Sequence, residues 1–528
     1  MQLQTQQLNI GKKGACTISQ ITLDEDKNLP ENKGDIAEIV ISKGKICIEQ
    51  VDIRDSKVML NGKLQFQCMY LNDSGKYERY QGSVDFQEDV QTEEGFTMEN
   101  YQGNYDLEDL QISMENSRKI KLQAMITIKI WKEYSQQLCY PWNTDVQGVE
   151  LHENTAELLC LKAQKKDSLE IKEYLNIDKA MDNINELLYQ NSYIKETEVR
   201  SNGEGTNIFG TMVVWFVYAG ENGGYFYKEG EIPFRTSVAD SEVTDRYLTS
   251  KLYMETESCQ LDIVPDEEGE FRRIRLQTQL NYTVLLYEEA KISYVDDMYS
   301  TGGEYTVNHT VFQADHLLAN QRVNCRKEGK VNVLGGEGLH PDGRLKLCGS
   351  DVWATIDHIK NNGKEIMVSG TIQAELLFLY HLLTDEEAKF IHKTLQLPFT
   401  QPLDIATENQ EANIQVLPVA LQLQTAEGSG GEFQVYVSVE FSAFVSEPVK
   451  MSMVAEYEEK GFLVDTQERI GGITVYYPEP RENLWDIGKK FYISKDTIRK
   501  INNIPEGVEN FSPGQQLILC RETTSFSE

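Results

Sequence analysis

The sequence is short of cations. It has 51 Lys and Arg against 84 Asp and Glu, a net charge of −33 over 528 residues. A surface poor in cations cannot neutralise phosphates, which argues against nucleic acid and anionic membrane as partners. The acidity itself has two readings, solubility or the choice of a basic partner. Cysteine patterning is also missing. The nine cysteines are Cys16, Cys47, Cys68, Cys139, Cys160, Cys259, Cys325, Cys348 and Cys520. The number is odd and none forms C-x-x-C, which speaks against a zinc site or a disulfide framework. It fits a reducing compartment. No segment approaches the ~18–20 apolar residues of a membrane span. The opening MQLQTQQLNIGKKGACTISQ lacks the apolar core of a secretory signal. The expectation is a cytoplasmic protein with no direct membrane insertion.

Catalytic signatures are absent as well. The histidines His152, His309, His316, His340, His358, His381 and His392 are scattered, and none forms H-E-x-x-H or H-x-H. Gly335-Gly-Glu-Gly338 and Gly428-Ser-Gly-Gly431 lack the Lys-Ser/Thr of a phosphate loop and read as turns. There is no G-x-S-x-G nucleophile elbow. Acidic pairs such as Glu93-Glu94 are too common in this composition to mark catalysis. The reading is a non-enzymatic protein with no catalytic residues, no cofactor and no metal.

What is present is repetition. Three segments share a glycine followed by apolar residues at every second position. They are Gly62, Leu64, Phe66, Cys68, Tyr70; then Gly210, Met212, Val214, Phe216, Tyr218; then Gly370, Ile372, Ala374, Leu376, Phe378. Period two marks a strand with one buried face. An aliphatic residue precedes each glycine at the same distance: Ile39, Leu187 and Leu347. An aromatic follows each: Phe86, Phe234 and Phe399. A second alternating strand closes each copy, beginning at Ile120, Ile274 and Phe433. We therefore expect a mainly β protein of three tandem antiparallel β-sandwich-like domains at 1–145, 146–300 and 301–455. The clean alternation predicts sheets with one solvated face. Helix is expected to be sparse in this body, at Asp178 to Tyr189 and Asp385 to Lys393. Residues 456–472, polar and ending in two glycines, read as a linker.

The tail is a different object. From Gly471 onward there are 7 basic and 8 acidic residues, so almost all the negative charge lies in the body. Ile473 and Val475 suggest a short strand. A helix from Glu482 to Phe491 would present Leu484, Ile487 and Phe491 on one face. Ser494 can cap a second helix burying Ile498 and Ile501, with Asp496 in its first turn. A turn at Ser512-Pro513-Gly514-Gln515 leads to a strand from Gln516 to Leu519.

This small α/β order, βααβ over 473–521, resembles the LysM domain. The residues that carry the likeness are Leu484-Trp485-Asp486-Ile487, Thr497-Ile498 with Asn502-Asn503, and Pro513-Gly514-Gln515-Gln516-Leu517. Most LysM domains bind N-acetylglucosamine glycans in a groove beside the first strand–helix loop, which carries a Gly-Asp-Thr or Gly-Asp-Ser triplet. Here Arg481-Glu482-Asn483 stands in its place, which puts glycan binding in doubt. The resemblance points instead to a partner-binding groove at Tyr476, Tyr477, Pro480, Arg481, Glu482, Asn483, Trp485 and Ile504. Aromatic and Arg side chains dominate protein hot spots. For Trp485 the alternative is a packing role.

In the body, Leu29-Pro30, Asp35-Ile36-Ala37-Glu38-Ile39 and Gly44-Lys45 resemble the start of a SPOCS domain, with Leu60-Asn-Gly62 as its next element. A second copy begins at Ile177-Asp178 and Ile184-Asn185-Glu186-Leu187; the third is more diverged. Tandem SPOCS domains before a C-terminal LysM resemble SipL-type spore coat morphogenetic proteins. The resemblance implies a scaffold in spore envelope assembly, in the mother-cell cytosol at the forespore surface. Its LysM domain would bind a coat-basement morphogenetic ATPase, and other coat proteins or a second copy are further candidate partners. Two other functions stay open: a peptidoglycan or cortex binder, and a self-assembling coat subunit.

Overall fold

The computed structural model describes residues 3–202, 205–238, 248–335, 343–381, 388–407, 409–460, 473–512 and 514–520. The first repeat supplies β1 (Leu3–Lys13), β2 (Thr17–Asn28), β3 (Ile36–Arg54), β4 (Lys57–Asn72), β5 (Tyr77–Gln91), β6 (Tyr101–Asn116) and β7 (Lys119–Thr144). β3, β4 and β5 form an antiparallel meander; β2, β7 and β6 form a second sheet. Leu64 and Phe66 of the first sheet pack against Ile120 and Leu122 of the second. β1 continues β2 along the far half of β7.

The second repeat copies this path with β8 (Val149–Asn176), β9 (Ile184–Asn202), β10 (Gly205–Gly220), β11 (Tyr225–Val238), β12 (Thr249–Val264) and β13 (Arg273–Ser300). The third uses β14 (Tyr305–Asn332), β15 (Arg344–Asn361), β16 (Ile366–His381), β17 (Ala388–Leu403), β18 (Asn413–Glu427) and β19 (Glu432–Glu459). Their meanders are β9-β10-β11 and β15-β16-β17, and their second sheets are β8-β13-β12 and β14-β19-β18. A single pair, Ala420 against Glu196, joins the meander of the second unit to the sheet of the third. The chain is mainly β, in antiparallel sheets.

The repeated residues have a common cause. Gly62, Gly210 and Gly370 lie directly across the ladder from Phe86, Phe234 and Phe399. In each case the ring covers the glycine, and a Cβ there would collide with it. Ile39, Leu187 and Leu347 likewise face Tyr70, Tyr218 and Phe378. Cross-strand pairs of this kind fix register.

The expectation of one solvated face fails at the meanders, because the units hide each other's second face. Ile41, Met69, Tyr77, Leu188, Tyr189, Val213, Trp215, Val217, Cys348, Leu377, Leu379 and Phe390 form one core drawn from all three. Equivalent residues meet there. Tyr77, Tyr225 and Phe390 make three mutual edge contacts, with centroids 5.1, 4.9 and 5.5 Å apart. Beside them lie three equivalent cross-strand pairs, Lys43–Gln67, Asn191–Trp215 and Asp351–Glu375. Lys43 joins them, bonded to Asp351 and donating to Asn191 at 2.6 Å. At the far ends of the long strands Ile10, Leu138, Leu158, Ile292, Ala314 and Met451 form a second shared core. The body is thus a pseudo-threefold assembly within one chain.

Neither expected helix forms among the described residues, and Asp178 to Asn183 are turn and loop. Ile184 to Tyr189 begins β9, and the described part of the other, from Ala388, begins β17. A bulge at Leu188 turns Leu188 and Tyr189 to the same shared core, so the apolar spacing mimics a helix. Asp385 to Glu387 lie outside the described residues. β19 continues through Glu459, so pairing with β14 takes the first residues of the stretch read as linker; 461–472 lie outside the described residues.

Candidate functional site: the tail and its seat on the second unit

The tail pairs β20 (Thr474–Tyr476) with β21 (Leu517–Leu519) beside two helices, α1 (Leu484–Phe491) and α2 (Lys495–Asn502). Leu484, Ile487, Ile493, Ile498, Leu517 and Leu519 form its core, with Tyr476, Phe491, Ile504 and Phe511 against it. Ile501 is only half-buried. α1 starts two residues later than the sequence reading because Asn483 is its cap. Asn483 accepts from the Asp486 N–H at 2.9 Å, and Asp486 accepts from the Asn483 N–H at 3.1 Å. Ser494 caps α2, accepting from Thr497 at 3.1 Å. Asn502 ties α2 to β21, donating to the Ile518 carbonyl at 2.8 Å and accepting from its N–H at 2.6 Å.

The structure separates the expected groove residues into three groups. Tyr476 and Glu482 stay together: the Tyr476 hydroxyl donates to Glu482 at 2.7 Å, and Lys490 donates to Tyr476 at 2.8 Å. Burial works against the Glu482 charge, but the Glu479 N–H, Tyr476 and Lys490 outweigh it and hold the carboxyl below its usual range. Pro480 and Arg481 are exposed, Asn483 is spent on the cap, and Ile504 packs against the core. Arg481 sits at φ 76°, the left-handed region that favours glycine. A glycine would take that conformation without the strain a side chain brings. Tyr477 points elsewhere, onto an outer sheet face with Ile473, Val475 and Ile518, which are 54, 73, 54 and 42 % exposed respectively. Gln516 donates to the Tyr477 hydroxyl.

Trp485 leaves the groove altogether. It is 6 % exposed and absent from the tail's own core. Its ring lies between His152 of β8, at 5.0 Å, and Tyr299 of β13, at 4.9 Å. Its indole N–H donates to Asp297 at 3.1 Å, and Lys489 donates to the same carboxylate at 2.6 Å. Burial works against the Asp297 charge, yet the Lys489 and Trp485 donors outweigh it and keep the carboxyl below its usual range. Tyr299 donates to the Ile493 carbonyl at 2.8 Å, and its hydroxyl fills the space a Cβ on Gly488 would need. Lys495 caps the Trp485 ring at 5.3 Å. Burial pushes the nearby Glu150 carboxyl up, against the pull of Lys495.

Sequence reasoning missed this seat. Gly488 was one available signal, since glycine inside a helix costs about 1 kcal/mol and needs a packing reason. Tyr299 was another, visible only once the repeats are aligned. Bulges at Trp142, Asp296 and Ala455 mark equivalent places, beyond which the other units carry Asp145 and Glu458 where the second carries Tyr299.

Among the described residues no group of three or more His, Cys, Asp or Glu could hold a metal ion. A cavity of about 180 Å³ between the second and third units is lined in part by Lys251, Arg322 and Gln415. Lys251 is committed to the buried Glu133 at 3.8 Å and lies 4.2 Å from the Phe444 ring centre. Among the described residues no helix is long and apolar enough to cross a membrane.

Comparison with known proteins adds one finding. The family described as SipL, SPOCS domain, matches residues 35–115, the span of β3 to β6 in the first unit. No curated protein and no solved structure matches the chain. The match supports a SipL-type family for this chain, on the strength of that first unit.

Proposed function

We propose that the chain is a non-enzymatic scaffold of spore envelope assembly, acting in the mother-cell cytosol at the forespore surface. The observation that carries this reading is the SPOCS match at 35–115. The strand path of that segment recurs at 184–264 and 344–427, which supports reading all three units as SPOCS copies.

The tail is then a LysM-like module that binds a protein, the coat-basement morphogenetic ATPase. Arg481 in the glycine position of the glycan triplet supports a protein ligand over a glycan. So does the exposed apolar face at Ile473, Val475, Tyr477 and Ile518, since solvent-facing apolar clusters of this kind mark interaction surfaces.

Affinity purification from sporulating cells tests this, comparing the full chain with one ending at residue 472. The expected result is loss of the ATPase with the tail. Retention of the ATPase by the truncated chain would sink the role given to the tail. Sedimentation of the full chain with insoluble peptidoglycan would move the reading to a cell-wall binder.

A further inference from the structure

We infer that the seat on the second unit is an autoinhibitory contact, so that a protein partner taking Trp485 as its anchor must first displace the tail from the body. The inference rests on the reading of the tail as a protein-binding module.

The geometry separates what holds the tail together from what holds it down. The six-residue core closes without Trp485. The indole lies between His152 and Tyr299 of the second unit and donates to the Asp297 carboxylate there, with the tail's own Lys495 over its ring. A large aromatic excluded from its own domain's core and buried against another surface behaves as an interface anchor already in use. An ion pair also crosses the contact, where Lys489 meets Asp297.

The seat is built in one place. Its Tyr299 gives way to Asp145 and Glu458 at the equivalent positions, so the ends of the first and third units lack the hydroxyl that reaches Ile493. Residues 461–472 separate the last body strand from the tail. A tail that is seated most of the time binds its partner with an affinity reduced by the fraction unseated.

The test uses the full chain labelled with 5-fluorotryptophan, and Asp297→Lys to repel Lys489 and remove the indole acceptor. The Trp485 fluorine signal is assigned by its loss in Trp485→Phe. Expected are a shielded Trp485 in the wild type, a solvent-accessible one in Asp297→Lys, and about tenfold tighter binding of the coat-basement ATPase by the variant. A freed Trp485 with equal or weaker ATPase binding overturns the inference and leaves the proposed function standing. A solvent-accessible Trp485 in the wild type overturns the contact itself. Failure of both chains to bind the ATPase overturns the proposed function, and this inference with it. Should Asp297→Lys unfold the body, Tyr299→Phe gives the same comparison with a smaller change in the same direction.

Discussion

The body and the tail bury their surfaces by opposite means. In the body each unit covers the others, and a strand such as β10 is buried on both faces, with Met212, Val214 and Phe216 toward its own sandwich and Val213, Trp215 and Val217 toward the shared core. Equivalent positions meet, so one apolar arrangement is used three times. The tail closes a core of six buried residues and two eight-residue helices, then rests on the body where Trp485 and Lys489 meet Asp297, with His152 and Tyr299 against the indole. Apolar burial repeated around an axis holds the body together. A single-copy contact of aromatic and charged groups holds the tail, and it is this contact that we infer a partner displaces.

The sharpest way to break that contrast is at the axis. Trp215 is 2 % exposed and lies against Tyr189 with the rings tilted by 37°, and Gly349 leaves room for its ring. Trp215→Ala should cost the body about 3–5 kcal/mol, read by denaturant unfolding. The tail's seat should be unchanged while the body stays folded. A loss below about 1 kcal/mol would mean the three meanders do not share a core.

A titration sharpens it further. Burial, reinforced by Asp351 and opposed by Lys43, pushes the Glu375 carboxyl up to about 7. A carboxyl with a raised folded pKa keeps its proton longer in the folded state. Stability of the body should therefore fall as pH rises from the ordinary 4.5 toward 7. Glu375→Gln should flatten that slope and raise stability at pH 8 by roughly 1–3 kcal/mol. Melting temperatures measured from pH 5 to 8 decide it, and an unchanged slope would reject the axial position as the cause.

How much of this was legible follows from the same contrast. The glycine–aromatic pairs and period-two strands could be read because each is set by one ladder, Gly62 against Phe86 or Gly210 against Phe234. The tail could be read because its caps and core are local, Asn483 and Ser494 before short amphipathic helices. What escaped depends on residues far apart in sequence. Leu188 and Tyr189 looked helical because their partners are in other units. Trp485 looked like a groove residue because Asp297 and Tyr299 lie almost two hundred residues before it.

At the seat, Tyr299→Phe removes one hydroxyl that donates to the Ile493 carbonyl and keeps the ring against Trp485. The lost hydrogen bond should weaken docking by about 1 kcal/mol. The body's unfolding midpoint should not move. A fall in body stability instead would show that the seat is part of the body's own core.

The smallest effect belongs to the tail alone. Arg481 holds φ 76° with its side chain exposed. A non-glycine residue in the left-handed region is strained by about 1–2 kcal/mol. Arg481→Gly relieves that strain but adds about 0.5–1 kcal/mol of chain entropy to the unfolded state. The balance is a tail more stable by roughly 0.5–1 kcal/mol, read as slower hydrogen exchange at Ile487 and Ile498 in the full chain, with exchange in β4, β10 and β16 unaffected. Arg481→Ala keeps the strain and should leave the tail where it is. If glycine and alanine act alike, the left-handed turn is not what sets the residue at this position, and the comparison with the glycan-binding triplet loses its structural basis.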